Sequence, residues 1–171
     1  MTEEYKLTIE IKNTKPVELI DLTDSLLSLA DEYKRFLVSQ AGPVLSEEIK
    51  LYVKEIKTGS IITDIIAIAP GALPFAEYAM TLIDFSGYIQ KAVKFFLGDK
   101  EEDPKLDKRS YENLSRFLEP VAKDNASQLN CHTTINGDVN LVLNVGSIEA
   151  NALQNTFRKK IVAGSYPCQL F

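Results

Sequence analysis

Leu129-Asn130-Cys131-His132-Thr133-Thr134-Ile135, then Asn136-Gly137-Asp138, then Val139-Asn140-Leu141-Val142-Leu143-Asn144-Val145 reads as two alternating strands around a turn. Asn-Gly ordinarily marks a two-residue turn of type I′. That register pairs Thr134 with Val139, His132 with Leu141 and Asn130 with Leu143, so each polar side chain meets an apolar one. A three-residue loop, Asn136-Gly137-Asp138, instead pairs Ile135 with Val139, Thr133 with Leu141, Cys131 with Leu143 and Leu129 with Val145. A slip of one residue exchanges the two faces of a strand, so the buried side decides the register. The expectation is the three-residue loop, with Gly137 free to take a positive φ. Asn130, His132 and Thr134 then share the other face with Asn140, Val142 and Asn144. That grid is uncharged and polar. It suits the hydroxyls or amides of a ligand, the same face of a second subunit, or plain solvent.

Working outward, Tyr5–Lys12 alternates strictly, with Tyr5, Leu7, Ile9 and Ile11 on one face, which predicts a half-buried strand. Pro16 to Gln40 carries apolar residues at steps of three and four, and Gly42-Pro43 stops the helix. Thr14, or Asp21 with Asp24, is its expected cap. Glu48–Ile56 and Ser60–Ala69 follow as strands joined through Thr58-Gly59. This loop sets Ile56 against Ile61, Val53 against Asp64, Leu51 against Ile66 and Ile49 against Ile68. A second long helix is expected over Phe75–Leu97, ended by Gly98. A mixed-charge stretch, residues 98–108, separates it from a shorter helix that Ser110 caps and Pro120 bends or restarts. After the polar hairpin, a last helix starts at Ser147 and turns Ile148, Ala152 and Phe157 inward. The order β-α-β-β-α-α-β-β-α predicts an α+β fold: a mainly antiparallel sheet of about five strands against two long and two shorter helices. Residues 1–97 form the expected core, 98–108 a linker, and 109–171 a segment packed on that core as one domain.

The bulk properties exclude several classes. With 171 residues and 45% hydrophobic content the chain is long and apolar enough for one buried core. Residues 1–97 carry ten Lys/Arg against fourteen Asp/Glu, and residues 98–171 nine against ten. Neither half has the basic excess that phosphate neutralisation requires, so nucleic acid is not an expected partner. The most apolar window, Ile61 to Phe85, is broken by Asp64, Pro70, Pro74, Glu77 and Asp84, so no membrane span is expected. The two cysteines, Cys131 and Cys168, do not make a disulfide framework. With an acidic start that lacks the marks of a signal peptide, they point to a reducing, cytoplasmic setting. The run Ala163–Phe171 stops directly behind a helix, as in a piece cut from a longer protein.

Chemistry-bearing clusters are sparse. His132 is the only imidazole, and its neighbour Cys131 points to the opposite face of the strand. Neither a zinc set nor an oriented general base follows. Cys131 belongs to the buried face and reads as an inert thiol. Glu55 and Asp64 fall on one face as diagonal neighbours, a pair suited to a divalent cation or a shared proton. A rim position, or a charge that discourages edge pairing, accounts for them equally. No phosphate-binding loop, dinucleotide fingerprint or nucleophile elbow occurs, and no cofactor is expected. On the helix Phe75–Leu97, Tyr88 and Phe95 lie off the apolar seam and are candidate interface residues. The expected function is a non-catalytic binding or assembly protein that self-associates or binds a protein partner. The alternatives are a small metal-dependent hydrolase using Glu55 and Asp64, or a ligand sensor using the Asn130/His132/Thr134 face.

Overall fold

The computed structural model describes residues 5–41, 49–57, 60–68, 75–99 and 101–165. The elements are β1 (Tyr5–Lys12), α1 (Leu19–Ala41), β2 (Lys50–Lys57), β3 (Ile61–Ile68), α2 (Phe75–Phe96), α3 (Lys108–Ala122), β4 (Gln128–Ile135), β5 (Asp138–Gly146) and α4 (Ser147–Ser165). The fold is α+β, in the order expected from the sequence. The five strands form one antiparallel sheet in the order β2-β3-β1-β4-β5, so the first strand lies in the middle. Leu7, Ile9 and Ile11 of β1 point into the core beside Ile65 and Ala67 of β3, Leu129 and Cys131 of β4, and Leu143 and Val145 of β5. The same apolar cluster takes in Leu82, Phe85 and Ile89 of α2, Leu114 and Phe117 of α3, and Leu153 and Phe157 of α4. The helices therefore cover one face of the sheet.

The β4–β5 hairpin obeys both rules that seemed to conflict. Its tip is the two-residue turn: Asn136 and Gly137 have φ of 48° and 92°, as a type I′ turn requires. Thr134 pairs with Val139 and His132 with Leu141. Toward the base the register shifts, and Cys131 pairs with Leu143, Asn130 with Asn144 and Leu129 with Val145. A bulge at Val142 absorbs the extra residue. Turn chemistry fixes one end and burial of Leu143 and Val145 fixes the other. The three-residue loop is thus corrected at the tip and its pairing holds at the base.

The β2–β3 register also departs from the Thr58-Gly59 reading. Glu55 stands opposite Asp64, and beyond a bulge at Lys54 Val53 meets Ile65, Tyr52 meets Ile66 and Leu51 meets Ala67. The reason lies outside the hairpin. β1 pairs Leu7 with Ile65 and Ile9 with Thr63, which turns odd-numbered β3 residues to the core. β2 must then bring Leu51 to that face, where it packs on the cluster.

Helix ends follow local chemistry, with three corrections. Asp107, not Ser110, caps α3, and its carboxylate accepts the Ser110 N–H at 3.0 Å. Thr14 does not cap α1; its N–H and hydroxyl are given to Asp124, in the turn between α3 and β4. On α4, Ile148 is 85% exposed and Ala152 faces out, while Ala150, Leu153 and Phe157 are buried. α2 ends as expected at Gly98, whose φ of 96° lets its N–H reach the Phe95 carbonyl while the Asp99 N–H reaches that of Lys94. The opposite exposures on α4 set a test. Phe157→Ala should cost about 3–5 kcal/mol in chemical denaturation, and Ile148→Ala less than about 0.5 kcal/mol. Equal losses would contradict the assigned faces.

Candidate functional site

On the face of the sheet turned away from the helices, Asp64, Thr8, His132 and Leu141 form one row across β3, β1, β4 and β5, and the backbone register continues that row to Glu55 of β2. Thr8 donates its hydroxyl to Asp64 Oδ1 at 2.7 Å, and Lys6 Nζ lies 3.3 Å from Asp64 Oδ2. Asp64 is 1% exposed. This explains a carboxylate inside an isoleucine-rich strand: it is the acceptor that satisfies two polar groups of the central strand. Below it, Asn130 Nδ2 donates to Glu10 Oε1 at 3.1 Å, while the buried Asn130 Oδ1 has no hydrogen-bond partner among the described residues.

Of the residues singled out in the sequence, Asn130, His132, Thr134 and Asn144 do share this face. Asn140 does not; the bulge moves it opposite Thr133 and puts Val139 and Leu141 in the grid. Glu55 and Asp64 are directly opposed in the backbone rather than diagonal, and the Glu55 side chain lies outside the described residues. Among the described residues no three His, Cys, Asp or Glu side chains are grouped to hold a metal ion. Cys131 is 3% exposed, and burial pushes its thiol up to about 12. Tyr88 turns toward α1, 5.3 Å from the Phe36 ring centre, and donates its hydroxyl to Glu32 Oε2 at 2.7 Å. Burial first, and then the Glu32 charge, raises that hydroxyl's pKa well above its ordinary value. Phe95 is half-buried and meets Phe96 edge-on at 4.9 Å.

A second polar cluster was not anticipated. Along α1, Asp21, Ser25, Ser28 and Glu32 are all buried, at steps of four, three and four, which is one helical stripe. Ser25 donates to the Phe117 carbonyl at 2.7 Å. Glu32 accepts from Asn113 Nδ2 at 3.0 Å as well as from Tyr88. Lys123 reaches Asp21 at 2.9 Å. The stripe is the seam between α1 and α3, and its small serines let the helices approach. Its signal in the sequence is a polar repeat of helical period alongside the leucines. A groove of about 370 Å³ opens at its end, lined by Glu32, Arg35, Phe36, Tyr88, Lys105 and Asp107. Its acids are already engaged: Asp107 holds Arg35 and the first turn of α3, and Glu32 holds Tyr88 and Asn113. This groove ties helices together.

No protein-family model, curated protein or solved structure matches this chain. Among the described residues no helix is long and apolar enough to cross a membrane.

The α1–α3 seam makes stability depend on acid. Burial alone would raise the Asp31 carboxyl, but hydrogen bonds from Asn113 and Arg109 and the charges of Arg109 and Arg35 outweigh it and hold it low. Asp107 is likewise depressed: against burial stand the Ser110 N–H and the Arg35 guanidinium. A carboxylate with a depressed folded pKa stabilises above its unfolded value, near about 4, and loses that contribution as pH falls through the folded value. Thermal midpoints should therefore fall more steeply below about pH 4 in wild type than in Asp31→Asn/Asp107→Asn. Parallel curves would contradict this assignment.

Proposed function

We propose that this chain is a non-catalytic binding and assembly protein that self-associates through the face of its sheet opposite the helices. The observation that carries this reading is the β5 bulge. A bulge re-aims the side chains beyond it. Here it turns Val139 and Leu141, 63% and 56% exposed, onto the open face. Tyr52, 40% exposed, stands on the same face at the far edge, opposite Ile66. Apolar side chains so placed gain their burial from a partner. Of the two surfaces that the sequence suggested, the hairpin is favoured over α2, because Tyr88 of α2 is bonded inside the fold.

The reactive groups support a non-catalytic role. His132 is flanked by Thr8 and Leu141, with no acid opposite it in either neighbouring strand. Sedimentation across a micromolar concentration series should show wild type passing from monomer to dimer. Leu141→Asp should stay monomeric with an unchanged circular dichroism spectrum. A monomer throughout, or a Leu141→Asp protein that still dimerises like wild type, would overturn the reading.

The second reading, a divalent-cation site for a small hydrolase, draws on the direct opposition of Glu55 and Asp64. Lys6 at 3.3 Å from Asp64 weakens it, since an ammonium already neutralises that carboxylate. Thermal shifts with magnesium, manganese and zinc should be the same for wild type and Asp64→Asn. A metal-dependent rise confined to wild type would favour the hydrolase.

A further inference from the structure

We infer that Gln90 of α2 is a positioning residue: its side-chain amide holds the β5 bulge in place, and through the bulge it decides which side chains the hairpin tip presents on the face opposite the helices. That role goes beyond self-association and does not depend on it. Gln90 Nε2 donates to the Val142 carbonyl at 2.9 Å. Val142 is the residue of β5 that the ladder skips, since Leu143 pairs with Cys131 and Leu141 with His132. Among the described residues β5 is an edge strand, with β4 beside it and no strand beyond. A backbone carbonyl displaced from a ladder needs another donor, and Gln90 supplies one. The donor is well placed to do so. Leu82, Phe85, Ile89 and Ala92 bury α2 in the core, so Gln90 reaches the edge strand from a fixed helix.

A register without the bulge competes with the one observed. Carrying the pairing of the base out to the tip sets His132 opposite Val142, Thr134 opposite Asn140 and Ile135 opposite Val139. The loop is then Asn136-Gly137-Asp138. Every β5 side chain from Val142 to Val139 changes face: Val142 and Asn140 turn outward, and Leu141 and Val139 turn toward the helix side. The regular form gains an unbroken ladder. The bulged form keeps the type I′ turn, with Asn136 and Gly137 at φ of 48° and 92°, and keeps Val142 packed on the apolar cluster. Turn and ladder therefore oppose each other, and they meet at Val142. A hydrogen bond of ordinary net strength shifts such an equilibrium about fivefold, and Gln90 places one at that residue.

Removing the donor while keeping the length of the side chain tests this role. Gln90→Met should bring nuclear Overhauser contacts from His132 to Val142, and should lower the folding constant in urea denaturation about fivefold. Deletion of Val142 removes the residue that Gln90 serves. In that background Gln90→Met should leave both the His132–Leu141 contact and the folding constant unchanged. An equal loss in both backgrounds would assign Gln90 to general packing and overturn the inference. So would a full-length Gln90→Met protein in which His132 still contacts Leu141 alone, a result that stands even if the deletion does not fold. Spectra of dilute protein report the register whether the chain sediments as a monomer or a dimer, so the role of Gln90 and self-association are tested separately.

Discussion

The alternation along β1 is the constraint on which the rest of the structure hangs. Strand β1 is paired on both sides, to β3 and to β4. Its odd residues enter the core and its even residues face outward. Every other register is set against it. The bulge at Lys54 and the bulge at Val142 are the two places where a hairpin, made by its own turn, is adjusted to fit what β1 already presents. A bulge leaves one residue unpaired and increases local twist. It persists here because a slipped register would expose Leu143 and Val145, or Leu51, to water.

A second constraint holds the helices to one another. The α1–α3 seam is polar, built from Ser25, Glu32 and their partners Phe117, Tyr88 and Asn113. Breaking one partner of a buried carboxylate costs more than the bond itself, since the remaining group is left unsatisfied. Such a seam specifies one alignment of two helices where leucines alone would permit several. The aromatic contacts of Phe85 with Tyr33 and of Phe157 with Phe96 and Tyr111 then fill the volume between helices and sheet.

Element order and class were legible because helix and strand periods, Gly98 and the Ser147 start are local signals. What was not legible depended on partners far along the chain. The β2–β3 register is imposed by β1, about fifty residues away. The hairpin contained two valid local signals, and only the unforeseen bulge at Val142 reconciles them. The same bulge decided the candidate site. It kept Asn130, His132, Thr134 and Asn144 together, removed Asn140, and admitted Val139 and Leu141. Ser110 and Asp107 illustrate a smaller case: both are good caps, and Arg35, from a distant helix, holds Asp107. The buried stripe of α1 was readable in principle, as a polar repeat of period between three and four.

One face of the sheet stores the apolar core, and the opposite face is the one we propose for self-association. Exposed apolar residues also occur on α1, where Ile20 and Leu27 are 67% and 68% exposed, so exposure alone does not choose the surface. Methyl NMR on a dilution series discriminates directly. Self-association through the sheet predicts concentration-dependent shifts at Leu141, Val139, Ile62 and Ile66, with Leu27 and Ile20 unmoved. Shifts confined to Leu27 and Ile20, or no shifts anywhere, would contradict it.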